Sequence, residues 1–312
     1  MKSVCCGFCI VVFSTAVCDG FLFDVRADCL VSTWSTWTPV PGLGMHIRER
    51  GVLRYDNQGG TPCPPDDELR QVKTDYNPTT SRHANIQATA RSMSANFIRG
   101  VANPQNPQAT GQKRDLLIIL DSSGSIGSSN FYKTKQNLAE LLGMLCPDPD
   151  PFAQLYQHAA LIDFAGSTNE IFDFNKYQHT STLKNGILAV PYLGGITCTT
   201  KAFTVALNMF SKWKGMRTQS DVVQEVLILT DGQSNCGGAV ATAAKELQKK
   251  ATVFTLLIGS FTQRGVNEIA SYVTTPVPKH LFAVKQLQDL DSLIAELRKQ
   301  RSIQKCMPFN LP

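Results

Sequence analysis

The sequence predicts an α/β fold, a mainly parallel sheet flanked by helices, with a small disulfide-dependent module in front of it. Three observations predict it. Between residues 115 and 300, short apolar runs (LLIIL, AALIDF, EVLILT, TVFTLLIG and HLFAV) alternate with amphipathic segments. Such alternation implies parallel strands covered on both faces. LLIIL, at 116–120, is apolar without interruption, as expected of a central strand buried on both sides. Residues 29–65, in contrast, are rich in Trp, Gly, Pro and Arg without helical periodicity, and a segment of ~35 residues is too short to bury a self-sufficient core.

The chain of 312 residues has length for two domains, and 43% hydrophobic against 18% charged residues is a globular composition. A formal charge of +5 is too mild to imply a nucleic-acid partner. At the N-terminus, Lys2 precedes a short run of Cys, Phe, Ile and Val, and Ser14, Ala16 and Cys18 offer small cleavage positions. Residues 1–18 therefore read as a secretory signal peptide, too short to span a membrane. No later stretch has the ~18–20 apolar residues of a transmembrane helix. Of ten cysteines, four leave with the leader; Cys29, Cys63, Cys146, Cys198, Cys236 and Cys306 remain. In an oxidising compartment these predict disulfides, with 15 pairings open. No C-x-x-C spacing remains to support a zinc or redox site.

Residues 66–113 read as a polar linker bounded by NPTTS and NPQNPQATGQ. Within it, Ile86, Ala90, Met93, Phe97 and Val101 recur at helical spacing, predicting a helix over 82–99 that either docks on the neighbouring domain, the expected case, or binds a partner. The α/β domain is expected over 114–301, followed by a tail at 302–312. Its first helix, NFYKTKQNLAELLGML, carries Phe131, Leu138, Leu141, Leu142 and Leu145 on one face, and its last carries Leu287, Leu290, Leu293, Ile294 and Leu297.

In an open parallel sheet, ligands bind beyond the carboxyl ends of the strands. LLIIL ends at Asp121, placing Asp121, Ser123 and Ser125 on that rim, with Gly124 permitting the turn. EVLILT ends at Asp231 and Gly232, and a third loop, GGITCTT, offers Thr197 after Gly194 and Gly195. Two acids and three hydroxyls are hard oxygen donors suited to Mg²⁺, Mn²⁺ or Ca²⁺, with Mg²⁺ expected first. A cation held so incompletely keeps a coordination place for an Asp or Glu carboxylate of a partner.

D-x-S-x-S after an apolar strand, then G-x-T-x-T, then T-D-G at a later strand end resembles the von Willebrand factor type A domain. The resemblance implies a Rossmann-like fold with a short antiparallel edge strand, for which EIFDF is the candidate. It also implies a metal-ion-dependent adhesion site formed by Asp121, Ser123, Ser125, Thr197 and Asp231, with Gly195 and Gly232 in the ligand-facing loops. Cys198, beside Thr197, and Cys236, five residues after Asp231, are expected to be bridged and to brace those loops. Cys146 and Cys306 then remain as a pair by elimination.

The N-terminal module, read from CLVSTWSTW, GLGMHIRER and GGTPCP, resembles a thrombospondin type 1 repeat. Trp34 and Trp37 match its W-x-x-W, and Arg48 and Arg50 match its alternating arginines. Residues at spacing two on a strand share a face, so each guanidinium can stack on an indole. The repeat is degenerate. Val40 and Pro41 fall where its cysteines are common, leaving Cys29 and Cys63 as its pair. The resemblance implies binding of glycosaminoglycan or matrix protein, with Arg54 the basic group that the ladder does not occupy.

Together these features predict an exported adhesion or matrix protein, not an enzyme. The serines of DSSGS lie outside G-x-S-x-G, and His46, His83, His158, His179 and His280 fall outside the three rim loops. The alternative is a structural matrix component that assembles with itself, polysaccharide or mineral without metal-mediated capture of a partner. No N-x-[ST] sequon is usable, since Asn77 precedes Pro78.

Overall fold

The computed structural model describes residues 26–74, 81–98, 113–145, 157–177, 180–220, 222–259 and 261–301. The expected signal peptide at 1–18, the tail at 302–312, Cys146 and Cys306 lie outside the described residues. The described chain divides into two units, one of residues 26–32 and 51–63, the other of 33–50 and 64–301.

The larger unit is built on a six-stranded sheet. Its strands are β6 (Lys113–Asp121), β7 (Gln157–Phe164), β8 (Thr168–Phe172), β9 (Val222–Thr230), β10 (Thr252–Ile258) and β11 (Leu281–Val284), in the order β11-β10-β9-β6-β7-β8. All neighbours are parallel except β8, which runs antiparallel to β7. The antiparallel edge strand expected at EIFDF, residues 170–174, is found two residues earlier, as β8. LLIIL occupies the middle of the sheet, and all five of its side chains are fully buried. Leu116, Ile118 and Leu120 face one core, with Leu138, Leu141 and Leu142 of helix α2 (Ser128–Leu145) and Leu290, Leu293, Ile294 and Leu297 of the last helix (Leu287–Arg301). Leu117 and Ile119 face the other, with Ala202, Phe203, Ala206 and Met209 of the helix Thr199–Met209.

The segment expected as a linker carries two ordered elements that join this unit. Strand β5 (Arg70–Thr74) pairs antiparallel with β3 (Met45–Glu49), which pairs with β2 (Thr38–Val40). Alternation along β3 sends Met45 and Ile47 inward, and with Val40 and Leu43 they enter the same core as Leu117 and Ile119. Helix α1 (Arg82–Met93) begins on Ser81, whose hydroxyl accepts from Ala84 N, and continues as a π-turn over Ser94–Ile98. Ile86, Ala90, Met93 and Phe97 are buried in the core that holds Leu116 and Leu120. Residues 33–50 of the expected N-terminal module therefore pack with the α/β domain, because the hydrophobic face of β3 has its partners there. Gly42 fixes the approach. Its φ is +86°, and a Cβ there would lie 1.9 Å from the Ala283 carbonyl oxygen on β11.

The smaller unit pairs β1 (Leu30–Val31) with β4 (Val52–Arg54), a bridge joins Ala27 to Asn57, and the Cys29–Cys63 disulfide closes it. About twenty residues with one short ribbon hold little apolar area, so a covalent staple takes the place of a core.

Candidate metal centre

The rim beyond β6 and β9 is assembled from three loops, each tied to the other two by hydrogen bonds. The first, after β6, carries Asp121, Ser123 and Ser125. Asp121 is fully buried; one carboxylate oxygen accepts from Ser123 N at 2.8 Å and the other from the Thr230 hydroxyl at 2.6 Å. The Ser123 and Ser125 hydroxyls are 3.2 Å apart, and Ser125 donates to Asp231 Oδ1 at 2.9 Å. Asp121, Ser123, Ser125 and Asp231 thus form one connected run of oxygens from two strand ends.

The second loop enters through its backbone. Gly124 N donates to Gly195 O at 2.8 Å, Gly194 N to Ser122 O at 2.9 Å, and Leu193 N to the Ser122 hydroxyl at 3.0 Å. Thr197, at its end, is buried and held by the third loop: its N–H donates to Asn235 Oδ1 at 2.8 Å, and Asn235 N donates to its carbonyl at 2.9 Å. The disulfide Cys198–Cys236 joins the same two loops one residue further on. Gly232 N–H approaches the Thr230 hydroxyl at 3.2 Å, so its backbone holds the residue that holds Asp121.

Residues that the motifs did not mark complete the frame. Glu268 accepts from Ser234 N at 2.9 Å, from Gln233 Nε2 at 2.9 Å and from the Tyr272 hydroxyl at 2.6 Å, fixing the loop after Asp231. Asp163 on β7 is fully buried, and Lys135 of α2 donates to the carbonyls of Leu188 and Val190, just before the second loop. A lone acid inside the apolar run AALIDF was the sequence signal for Asp163. Asn235 and Glu268 had none, because their partners are remote along the chain.

The electrostatics describe acids without enough positive charge. Burial pushes the Asp121 carboxyl above the usual carboxylate range, with hydrogen bonds from Thr230 and Ser123 opposing it. Burial raises Asp231 to about 6 against the Ser125 hydrogen bond, and the charge of Asp121 adds to the rise. Burial also raises Asp163 to about 7, with Ser122 and Lys135 opposing and Asp121 adding. A hard divalent cation fits this donor set of carboxylates and hydroxyls and would compensate the buried charge. Among the described residues, no group of three or more His, Cys, Asp or Glu side chains is placed to hold a metal ion.

The arginine ladder also has its geometry. The Arg48 guanidinium lies 5.0 Å from the Trp34 ring centroid and 4.8 Å from that of Trp37. Arg50 is 4.6 Å from Trp34, and Lys73 of β5 is 4.5 Å from Trp37. Arg48 also donates twice to Gln71, at 2.8 and 2.6 Å. The run is Arg50, Trp34, Arg48, Trp37, Lys73, and its last rung comes from outside the expected module.

The family model of the von Willebrand factor type A domain matches residues 115–296, more than half of the chain. The chain belongs to that family. Among similar proteins are the Caenorhabditis elegans transmembrane cell adhesion receptor mua-3, 28% identical over 60% of this chain and 5% of that protein, and mouse matrilin-2, 24% identical over 58% and 18%. Human collagen alpha-6(VI) chain is 29% identical over 39% of this chain and 5% of its own length. The chain therefore spans a small part of these relatives. Solved structures of proximal thread matrix protein 1 from the mussel byssus share the fold, with a TM-score of 0.51 at 22% identity over 60% of this chain and 48% of theirs. In one of them the adhesion motif is occupied by zinc.

Proposed function

We propose that this type A domain binds an acidic side chain of an extracellular partner through a divalent cation held by Asp121, Ser123, Ser125, Thr197 and Asp231. The observation that carries the reading is the hydrogen bond from Ser125 to Asp231, which closes a run of oxygens drawn from two strand ends. Asp121 is oriented by Thr230 and Ser123, so its carboxylate is preset and loses little freedom when a cation is bound. When bound, the cation supplies an electrophilic place for the partner's carboxylate. The loops supply position: Thr197 is fixed by Asn235 and Ser122 by Leu193.

Adhesion receptors and matrix proteins among the relatives support an exported adhesion or matrix role for the chain, and the leader-like residues 1–18 agree. Among the described residues, no helix is long and apolar enough to cross a membrane. The ladder and the Cys29–Cys63 disulfide support the reading of a degenerate thrombospondin type 1 repeat. Mg²⁺ is the ion proposed, with Mn²⁺, Ca²⁺ and the zinc seen in the mussel protein as comparisons. The test is calorimetric titration of the chelator-treated protein with each ion, followed by pull-down from extracellular extract. Asp121→Ala should abolish both metal binding and metal-dependent capture while far-UV circular dichroism is unchanged. Capture that persists in chelator overturns the reading.

A further inference from the structure

The helix Thr199–Met209 starts at the rim loop of Thr197 and runs away from it for eleven residues, about 16 Å at 1.5 Å per residue. At its far end the chain forms a single 3₁₀ turn, Lys212–Lys214, and Trp213 in that turn is 94% exposed. Tryptophan is among the residues most buried on average, so an indole left almost wholly in water calls for a reason.

The turn that presents it is rigidly built. Lys214 N donates to Ser211 O at 3.0 Å, Gly215 N to Lys212 O at 3.1 Å and Met216 N to Ser211 O at 3.2 Å. The turn after β8 clamps it from outside: Phe174 N donates to Lys214 O at 2.9 Å, and Asn175 Nδ2 to Trp213 O at 3.3 Å. Gly215 has φ +84°, and a Cβ there would meet Asn175 Oδ1 at 2.5 Å, so glycine is required for the clamp. The charges around the indole are mixed but not balanced. Lys214 pairs with Glu170, and Asp173 is engaged by Asn175 N at 3.0 Å. Lys212 and Lys176 are exposed, and among the described residues neither is in an ion pair.

We propose that the Trp213 turn is a binding platform for an anionic polysaccharide, with a sugar ring against the indole and its carboxylate or sulfate groups toward Lys212 and Lys176. Two general tendencies favour this ligand over the other surfaces that take tryptophan. Protein interface cores are enriched in Trp but depleted in Lys. Attachment to a lipid surface scales with buried apolar area, and the other exposed large apolar side chains, Tyr132, Leu188 and Ile196 among them, belong to other segments. A pre-formed turn also spares the ligand the cost of ordering a loop. The platform is independent of the metal centre and lies at the other end of the helix from it.

The test uses the full chain in chelator, so that the metal centre contributes nothing. Binding to heparin and to chondroitin sulfate is measured by titration, with neutral dextran and with phosphatidylcholine–phosphatidylserine vesicles as comparisons. Trp213→Ala and the pair Lys212→Glu with Lys176→Glu should each weaken polysaccharide binding at least tenfold, with unchanged circular dichroism and melting temperature. Tryptophan emission should shift on adding heparin in the parent and not in Trp213→Ala. Binding unaffected by Trp213→Ala, binding lost instead with Arg54→Ala, equal binding to dextran, or binding to vesicles but not to polysaccharide would each overturn the proposal.

Discussion

Ser125 and Asp231 are 106 positions apart in the chain and 2.9 Å apart in the fold, hydroxyl to carboxylate. One comes from the end of β6 and the other from the end of β9, so this contact tests whether two adjacent parallel strands deliver their loops to a common point. Replacing Asp231 by Asn keeps the shape and removes a charge. The expected outcome is loss of the Mg²⁺-induced rise in melting temperature, with the metal-free protein as folded as the parent. Bound at a hundred times its dissociation constant, a cation stabilises a fold by about 2.7 kcal/mol, so scanning calorimetry resolves the difference.

Metal affinity should fall as pH falls through about 6, because Asp231 titrates there and a proton competes with the cation for the same oxygens. Titrations of Mg²⁺ between pH 5 and 8 check this. An affinity flat across that window would mean that Asp231 is not a ligand.

Without metal the sign is reversed for stability. Asp163 is raised from 3.8 to about 7 by burial, so the folded state holds a proton that the unfolded state has released. Stability from this group is present at low pH and is lost as pH rises from about 4 through about 7. In chelator, urea midpoints should therefore decline from pH 5 to pH 8, and Asp163→Asn should reduce the decline, leaving the part due to Asp231 and Asp121.

Phe97 precedes the family-matched span, yet it is fully buried, with its ring 5.2 Å from that of Phe254 in an edge contact. Arg114 donates to the Phe97 carbonyl at 2.5 Å and lies over its ring at 4.8 Å. Phe97→Ala should cost about 3 to 5 kcal/mol, read as a shift in the urea midpoint. A fragment of residues 115–296 alone should be less stable than the full chain and should bind a hydrophobic dye.

The Cys198–Cys236 bridge joins the residue after Thr197 to the residue after Asn235, five positions beyond Asp231. Replacing both by Ser should lower Mg²⁺ affinity more than it disturbs the fold, because the strands are held by their own core. Parallel calorimetry and circular dichroism separate the two effects.

The strands were legible because LLIIL and EVLILT are buried on both faces and show it as uninterrupted apolar runs. The acids and serines were legible because they stand where those runs end. Strand β5 was not: RQVKT has one strong apolar residue, Val72, and its strandhood depends on β3, more than twenty residues earlier. The inward face of β3 was hidden for a related reason. Arg48 and Arg50 announced a ladder on one side, while Met45 and Ile47 on the other gave no clue to whose core they would enter. Lys135 and Asp163 act on the rim through space, and no local pattern reports that.

The covering of β11 bears on how copies of this domain can associate. The Thr89 hydroxyl donates to the Ala283 carbonyl at 2.9 Å, and Gly42 abuts that same oxygen. An acceptor that a neighbouring chain would need for annealing along that border is already taken. At the opposite border, Asn169 and Glu170 of β8 are exposed, and Glu170 is tied to Lys214, a polar fringe that discourages strand addition. Strand addition is thus obstructed at both borders of the sheet, so copies of this domain are kept from merging edge to edge.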